Sequence, residues 1–199
     1  MLERARELGL LGPPPVEEHI AHTMRFARAL DVADPGPIRA LDLGSGGGVP
    51  GLILALGWPR STWTLLDAGE RRCAFLREAV AALGEVGRIA VVRARAEETG
   101  RDPRHRGVYD LVTARSFGPA AVTAECAAPL LRRGGVLLVS EPPEAAPGRW
   151  PPGPLATVGL VPRSPIGAHP GVMVLEQVNV VSDRFPRRVG IPGKRPLWR

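Results

Sequence analysis

The sequence predicts an α/β fold: a mostly parallel, Rossmann-like sheet with helices on both faces. Three observations carry this. Short apolar segments of strand length alternate with segments whose apolar residues recur every three or four positions. The first such strand runs straight into a glycine-rich turn, Gly44 to Gly51. The second ends on an acid, Asp67, 19 residues beyond Gly48. Strands and helices alternating in this way build parallel pairs through right-handed crossovers. At 199 residues the chain is long enough for one domain with a real core.

The elements follow in order. After Pro13-Pro14-Pro15, residues 17–30 show helical spacing, and Pro35-Gly36-Pro37 ends that unit. Ile38 to Leu43 is a strand. Leu52 to Leu56 is a helix stopped by Gly57 and Pro59. Thr62 to Asp67 is the second strand. Glu70 to Leu83 is a helix with Cys73, Phe75, Leu76 and Val80 near one face, and Gly84 stops it. Arg88 to Arg93 is a third strand, followed by a loop. Val108 to Arg115 is a fourth. Residues 120–131 are helical, Gly134-Gly135 is a turn, and Val136 to Ser140 is a fifth strand. Residues 142–154 hold six prolines, which leaves no room for a normal helix. Leu155–Val161 and Val172–Val180 read as two antiparallel strands closing the sheet. Pro186, Pro192 and Pro196 predict an extended tail.

Composition excludes several classes. No apolar stretch approaches the ~20 residues of a membrane span. The mixed-charge start, Met1 to Glu7, lacks the apolar core of a signal peptide. Cys73 and Cys126 are the two cysteines, too few for a disulfide framework or a four-ligand zinc site. A cytoplasmic protein with reduced thiols and no metal site is expected. The net charge of +6 is concentrated at one end. Residues 183–199 carry Arg184, Arg187, Arg188, Lys194, Arg195 and Arg199 against Asp183 alone, a balance of +5. Such a segment attracts polyanions, nucleic acid before acidic membrane, unless it is merely a solvated terminus.

The glycine turn is where chemistry concentrates. Asp42-Leu43-Gly44-Ser45-Gly46-Gly47-Gly48-Val49-Pro50-Gly51 lets the backbone turn sharply and lets a ligand approach the main chain. The helix that follows points free N–H groups towards it. Asp67, at the end of the next strand, can accept hydrogen bonds from ribose hydroxyls. An adenosine-containing ligand over the carboxyl ends of the strands satisfies both features. Gly46, Gly48 and Gly51 also fit the dinucleotide pattern, which keeps that ligand as an alternative. Asp42 favours S-adenosylmethionine, because a sulfonium with an amino group tolerates a nearby carboxylate better than a pyrophosphate does.

These segments resemble the GidB/RsmG family, the small-subunit ribosomal RNA guanine-7 methyltransferases. The resemblance covers the glycine turn with its Val49-Pro50-Gly51 ending, Leu65 to Arg72 with Phe75-Leu76, and Arg95 to Glu98. It continues through Tyr109 to Arg115 and the basic run Arg184 to Leu197. It implies a class I S-adenosylmethionine-dependent methyltransferase acting on 16S ribosomal RNA or the small ribosomal subunit, as a monomer and without a membrane. Residues 1–182 would form the methyltransferase domain, with a helical extension over about 1–36, and 183–199 the basic tail. Carried over residue by residue, the cofactor contacts fall on Gly44, Val49, Asp67, Ala96, Glu97 and Arg115, and Arg115 is the catalytic candidate. From the residues alone, Arg115 ends a strand near the ligand and could hold a cofactor carboxylate, a substrate phosphate or a surface ion pair.

Guanine N7 has an in-plane lone pair and no proton, so methylating it needs positioning rather than a general base. The chain fits that requirement. Where amine methylases carry an Asn/Asp-Pro-Pro-aromatic motif it reads Arg115-Ser116-Phe117-Gly118-Pro119. Cys73 and Cys126 fall inside helices, where buried thiols are expected rather than nucleophiles. The chain departs from the family in three places. It is expected to lack the first helix or helices, Ser140-Glu141 stands where a lysine is often found, and residues 142–154 shorten the next crossover. His19 and His22 read as ordinary helix residues.

Overall fold

A computed structural model describes residues 1–30, 34–144, 148–163 and 170–199. Seven strands form one sheet: β1 (Arg39–Leu43), β2 (Thr62–Asp67), β3 (Ile89–Arg93), β4 (Tyr109–Ala114), β5 (Leu131–Ser140), β6 (Leu160–Pro162) and β7 (Val172–Gln177). Their spatial order is β3-β2-β1-β4-β5-β7-β6. The first five strands run parallel, and β7 pairs antiparallel with both β5 and β6. The chain order reverses between β1 and β4, so a crevice opens at the carboxyl ends of those two strands.

The strands are apolar on both sides because helices cover both. On β5, Leu137 and Val139 face one core layer while Val136 and Leu138 face the other. The first layer is completed by Ala96, Ala120, Ala124 and Leu155, from helices α5 (Ala96–Thr99), α6 (Ala120–Ala127) and α7 (Pro152–Thr157). The second takes Ala5, Phe26, Leu52 and Leu76 from α1 (Leu2–Glu7), α2 (Val16–Ala29), α3 (Gly51–Gly57) and α4 (Glu70–Ala82).

Four local expectations are corrected. The Gly134-Gly135 turn lies inside β5, which starts at Leu131; the register slips from Tyr109 opposite Leu131 to Leu111 opposite Val136. Gly134 sits at φ +78°, and a Cβ on Gly135 would lie 2.8 Å from the Tyr109 carbonyl oxygen, so the two glycines make a bulge rather than a turn. The Leu155–Val161 segment is strand only at its end: Pro152 opens α7 at a first-turn position that needs no N–H, the helix runs through Thr157, and only Leu160–Pro162 pairs with β7. Residues 145–147 of the proline-rich stretch lie outside the described residues. The loop after β3 contains the short helix α5, its first turn held by the Arg95 N–H donating to the Glu98 carboxylate at 3.1 Å.

The fourth correction is the tail. It contains a helical turn, α8 (Ile191–Lys194), and is packed against the body. Phe185 is buried in the first core layer. The Arg187 guanidinium makes two bonds, 2.8 and 2.6 Å, to Glu125, whose side chain is fully buried. The indole N–H of Trp198 donates to the Arg149 carbonyl at 3.0 Å. A charged segment becomes structured here because a buried carboxylate and an apolar surface give it partners.

Candidate functional site

At the carboxyl ends of β1, β2 and β4 lies a cavity of about 590 Å3. All six residues expected to contact the cofactor line it: Gly44, Val49, Asp67, Ala96, Glu97 and Arg115. Gly44 leaves β1 at φ +76°, and a Cβ there would lie 2.8 Å from a ring carbon of Phe117. Glycine is required twice over, by its conformation and by its neighbour.

Asp67 is buried and already bonded. Its Oδ1 accepts from the Gly69 N–H at 2.7 Å and from Arg72 Nε at 2.8 Å, and its Oδ2 accepts from the Gly46 N–H at 3.0 Å. A carboxylate offers about four acceptor positions, so one on Oδ2 is left for a ligand hydroxyl. The same bonds tie the glycine turn to the end of β2.

Asp42 does not reach the cavity. It lies beneath the turn, fully buried, with its Oδ1 accepting from the Thr113 hydroxyl at 2.7 Å. Burial pushes its carboxyl up to about 6, against the pull of the Thr113 bond. Its role is to pack the turn: a Cβ on Gly51 would come within 2.3 Å of the Asp42 Cβ. Contrary to the expectation from sequence, Asp42 does not face a cationic ligand in this cavity.

Segments from both ends of the chain complete this cavity. Gly9 to Gly12 cross its mouth from the N-terminal side; a Cβ on Gly47 would meet Leu11 at 2.7 Å and the Leu10 carbonyl oxygen at 2.9 Å. From the other end, Gly190 and Gly193 line the wall, and the Gly190 N–H donates to Glu97 at 2.9 Å. Glu97 thus holds the tail as well as bordering the site. Cys126 also lines this cavity; burial pushes its thiol pKa up, so it is no nucleophile.

A second cavity, about 510 Å3, adjoins the first. Gly12, Arg115, Ser116 and Phe117 line both and form the partition. Ser116 carries φ +52°, an uncommon value outside glycine, at the turn that presents Arg115 and Phe117. The far wall includes His19, His22, Glu141 and Arg149, with Arg149 Nε 3.1 Å from Glu141. His19 and His22 do lie on helix α2, as expected, and both also line this cavity. His19 Nδ1 lies 2.7 Å from Arg115 Nη2, and its Nε2 lies 3.3 Å from the Gly12 carbonyl oxygen. Burial, reinforced by Arg115, lowers His22 to about 4, so it is neutral at pH 7. The one available signal was that α2 spends two histidines on the side turned towards the sheet.

The glycine turn, the bonded acid after β2 and the strand-end arginine fall in a segment that matches the family model "GidB: rRNA small subunit methyltransferase G" over residues 6–141. The chain belongs to the GidB family. Relatives named "Ribosomal RNA small subunit methyltransferase G" agree with this over most of its length. The Symbiobacterium thermophilum protein is 36% identical, covering 92% of this chain and 80% of the relative. The Roseiflexus castenholzii protein is 38% identical, covering 92% and 79%. Among solved structures, the antibiotic-resistance methyltransferase Kmr superposes with a TM-score of 0.57 at 18% identity, covering 77% of this chain and 93% of that one. The [4+2]-cyclase SpnF superposes with a TM-score of 0.56 at 21% identity, covering 72% and 58%. The fold of this GidB member is thus a Rossmann-like class I methyltransferase fold. A cyclase shares this fold, so the fold by itself does not define the reaction.

Proposed function

We propose that this GidB member transfers a methyl group from S-adenosylmethionine to N7 of a guanine in 16S ribosomal RNA, in the cytoplasm. The observation that carries the reading is the pair of adjoining cavities with Arg115 and Phe117 in the partition, in a chain of this family. The first cavity suits the cofactor: a glycine cradle, a free acceptor position on Asp67 and about 590 Å3 of space. Gly44, Val49, Asp67, Ala96, Glu97 and Arg115 would hold it. S-adenosylmethionine supplies an electrophilic methyl on a sulfonium. The second cavity would take the base.

The protein's own work is positional. Asp67 binds ribose through Oδ2 while its other bonds keep the turn closed. The α5 segment at Ala96 and Glu97 borders the adenine. Arg115 donates to an oxygen at the partition, and Phe117 gives an apolar wall against which the base can lie. None of these groups has to remove a proton, since guanine N7 has none to lose. Orientation and a preformed electrostatic environment carry the rate. The region 183–199 would add phosphate contacts to those of the domain over residues 1–182.

The test is incubation of the purified protein with unmodified small ribosomal subunits and labelled cofactor, then mapping of the methyl group. Label at N7 of a single guanine is expected. Label at another atom, or none, would reject the reading. Calorimetry separates the cofactor question: S-adenosylhomocysteine should bind and NAD should not.

A further inference from the structure

We infer that His19 is a positioning residue for Arg115: it fixes the guanidinium so that Nη1 is held out as a donor for an oxygen acceptor at the partition between the two cavities. The inference rests on the proposed role of Arg115 but concerns a different residue, on a different element.

The geometry gives the chemistry. Arginine has five N–H donors and no acceptor, so the 2.7 Å contact between Arg115 Nη2 and His19 Nδ1 has one possible sense. Nη2 donates, and Nδ1 is the bare nitrogen. The imidazole proton must then sit on Nε2, which lies 3.3 Å from the Gly12 carbonyl oxygen and donates to it. Both ring nitrogens are thus assigned by their partners. His19 is only 3% exposed, and the Thr23 hydroxyl donates to its carbonyl oxygen at 2.9 Å, so its helix cannot easily turn it away.

One end of the guanidinium is therefore anchored. The other end, Nη1, is buried and has no hydrogen-bond partner among the described residues. A buried unpaired donor on a cation is costly unless something accepts from it. Arg115 lines both cavities, so the missing acceptor belongs to what occupies them. Two oxygens have the right chemistry: the carbonyl oxygen of a purine, next to the nitrogen to be methylated, and the carboxylate of an amino-acid cofactor. His22 does not compete for the role of anchor, since no bond joins it to the guanidinium and its own Nδ1 has no partner among the described residues. Gly12 closes the chain of contacts: it lines both cavities and accepts from His19, so the N-terminal segment, α2 and the end of β4 are coupled through one imidazole.

The experiment compares wild type, H19A, H19N, R115A and the H19A/R115A double variant. Asparagine puts its carbonyl oxygen where Nδ1 stood and so keeps the acceptor. Methyl transfer to unmodified small subunits should fall about tenfold to a hundredfold in H19A, the scale of one charge-assisted bond. H19N should keep most of the rate. On the R115A background, H19A should cost nothing further. Additive losses, or H19N as slow as H19A with both folded by thermal melting, would overturn the inference. A raised KM for subunits assigns the acceptor to the base; weaker S-adenosylhomocysteine binding assigns it to the cofactor; no change in KM, affinity or kcat in H19A rejects the role. A readout that needs no turnover is the 15N spectrum of the ring. Nδ1 should appear unprotonated in wild type and shift in R115A. An unmoved resonance would end the inference even in an active enzyme, while a shifted one in a protein that methylates nothing would leave His19's role standing and reject the proposed reaction.

Discussion

The two cavities are built by different means. The first is made by main chain: a glycine turn after β1, the end of β2 and the start of α5, stitched by N–H groups that donate to Asp67. The second is made by side chains from places far apart in sequence, with His19, Arg115 and Arg149 meeting across more than a hundred residues. A backbone-built site depends on conformations that few residues can adopt, so its sequence is constrained and recognisable. A side-chain-built site depends on tertiary placement, and any residue with a suitable tip can serve. The first cavity is also braced from both chain ends, which makes its integrity a property of the whole molecule.

The largest expected effect tests that bracing. Glu125 is fully buried and is paired by Arg187. Arg187→Ala leaves a buried carboxylate without its cation, a loss of about 3–5 kcal/mol in systems of this kind. Denaturant unfolding should show it. Cofactor affinity should fall as well, because the Gly190 contact to Glu97 lies three residues beyond. Unchanged S-adenosylhomocysteine binding in a folded variant would separate the tail from the first cavity.

Next in size is Asp42, the buried acid beneath the turn. Its folded carboxyl titrates near 6 against an ordinary 3.8. A raised folded value means that the native state holds the proton more tightly than the unfolded chain. This group therefore favours folding below about pH 4 and subtracts stability as pH rises towards 6, reaching about 3 kcal/mol above that. Asp42→Asn should remove this slope and be more stable than wild type at pH 7. His22 works in the opposite sense: lowered to about 4, it contributes stability above its ordinary 6.5 that is lost as pH falls. In wild type the two slopes oppose each other, so the pH profile of Asp42→Asn should fall more steeply on acidification than the wild-type profile. Identical profiles from pH 4 to 7 would remove the Asp42 assignment, and an Asp42→Asn profile that is flat over that range would remove the His22 one.

The sheet and the first cavity were legible because their signals are local. Period-two and period-3.6 patterns mark elements, and glycines mark a turn that only they can make. Misread elements came where a residue's meaning depended on its partner strand or on capping: Gly134-Gly135 as a bulge, Pro152 as a helix start. His19 was invisible because its importance is one 2.7 Å contact to a residue 96 positions away. The tail misled for a related reason. Counting its charges suggests a free cationic strand, but Glu125, which neutralises one of them, sits at a position that reads as an ordinary helix residue.

Two smaller substitutions test the main-chain cavity itself. Asp67→Ala should weaken cofactor binding by about 1–3 kcal/mol, the scale of charge-assisted bonds. Part of that loss is indirect, because Gly46 and Gly69 lose their acceptor. Gly44→Ala forces a side chain into φ +76° against Phe117, at about 1–2 kcal/mol of backbone cost. It should also impair the second cavity, since Phe117 walls both. Calorimetry with S-adenosylhomocysteine measures the first loss, and the KM for small subunits measures the second. A Gly44→Ala enzyme with wild-type KM would show that the partition does not need Phe117 in place.

The smallest effect separates two neighbours in the tail. Arg187 is committed to Glu125 and to the Arg195 carbonyl, whereas Arg188 is exposed. If the tail binds RNA through solvated cations, Arg187 contributes nothing to the salt dependence, and at most five of the six tail cations remain. The slope of log affinity against log salt should then owe the tail no more than ~3.5, at about 0.7 per phosphate of single-stranded RNA. Arg188→Ala should flatten the slope by about 0.7 and leave cofactor affinity and unfolding unchanged. Arg187→Ala should instead lower stability to unfolding and leave the slope unchanged, provided the tail keeps its place. If unpairing Arg187 instead frees the segment, both slope and cofactor affinity will change together, because the tail then loses its phosphate-facing geometry along with its contact to Glu97. The two adjacent arginines therefore distinguish a tail that binds RNA by charge alone from one that must first be docked on the cofactor cavity.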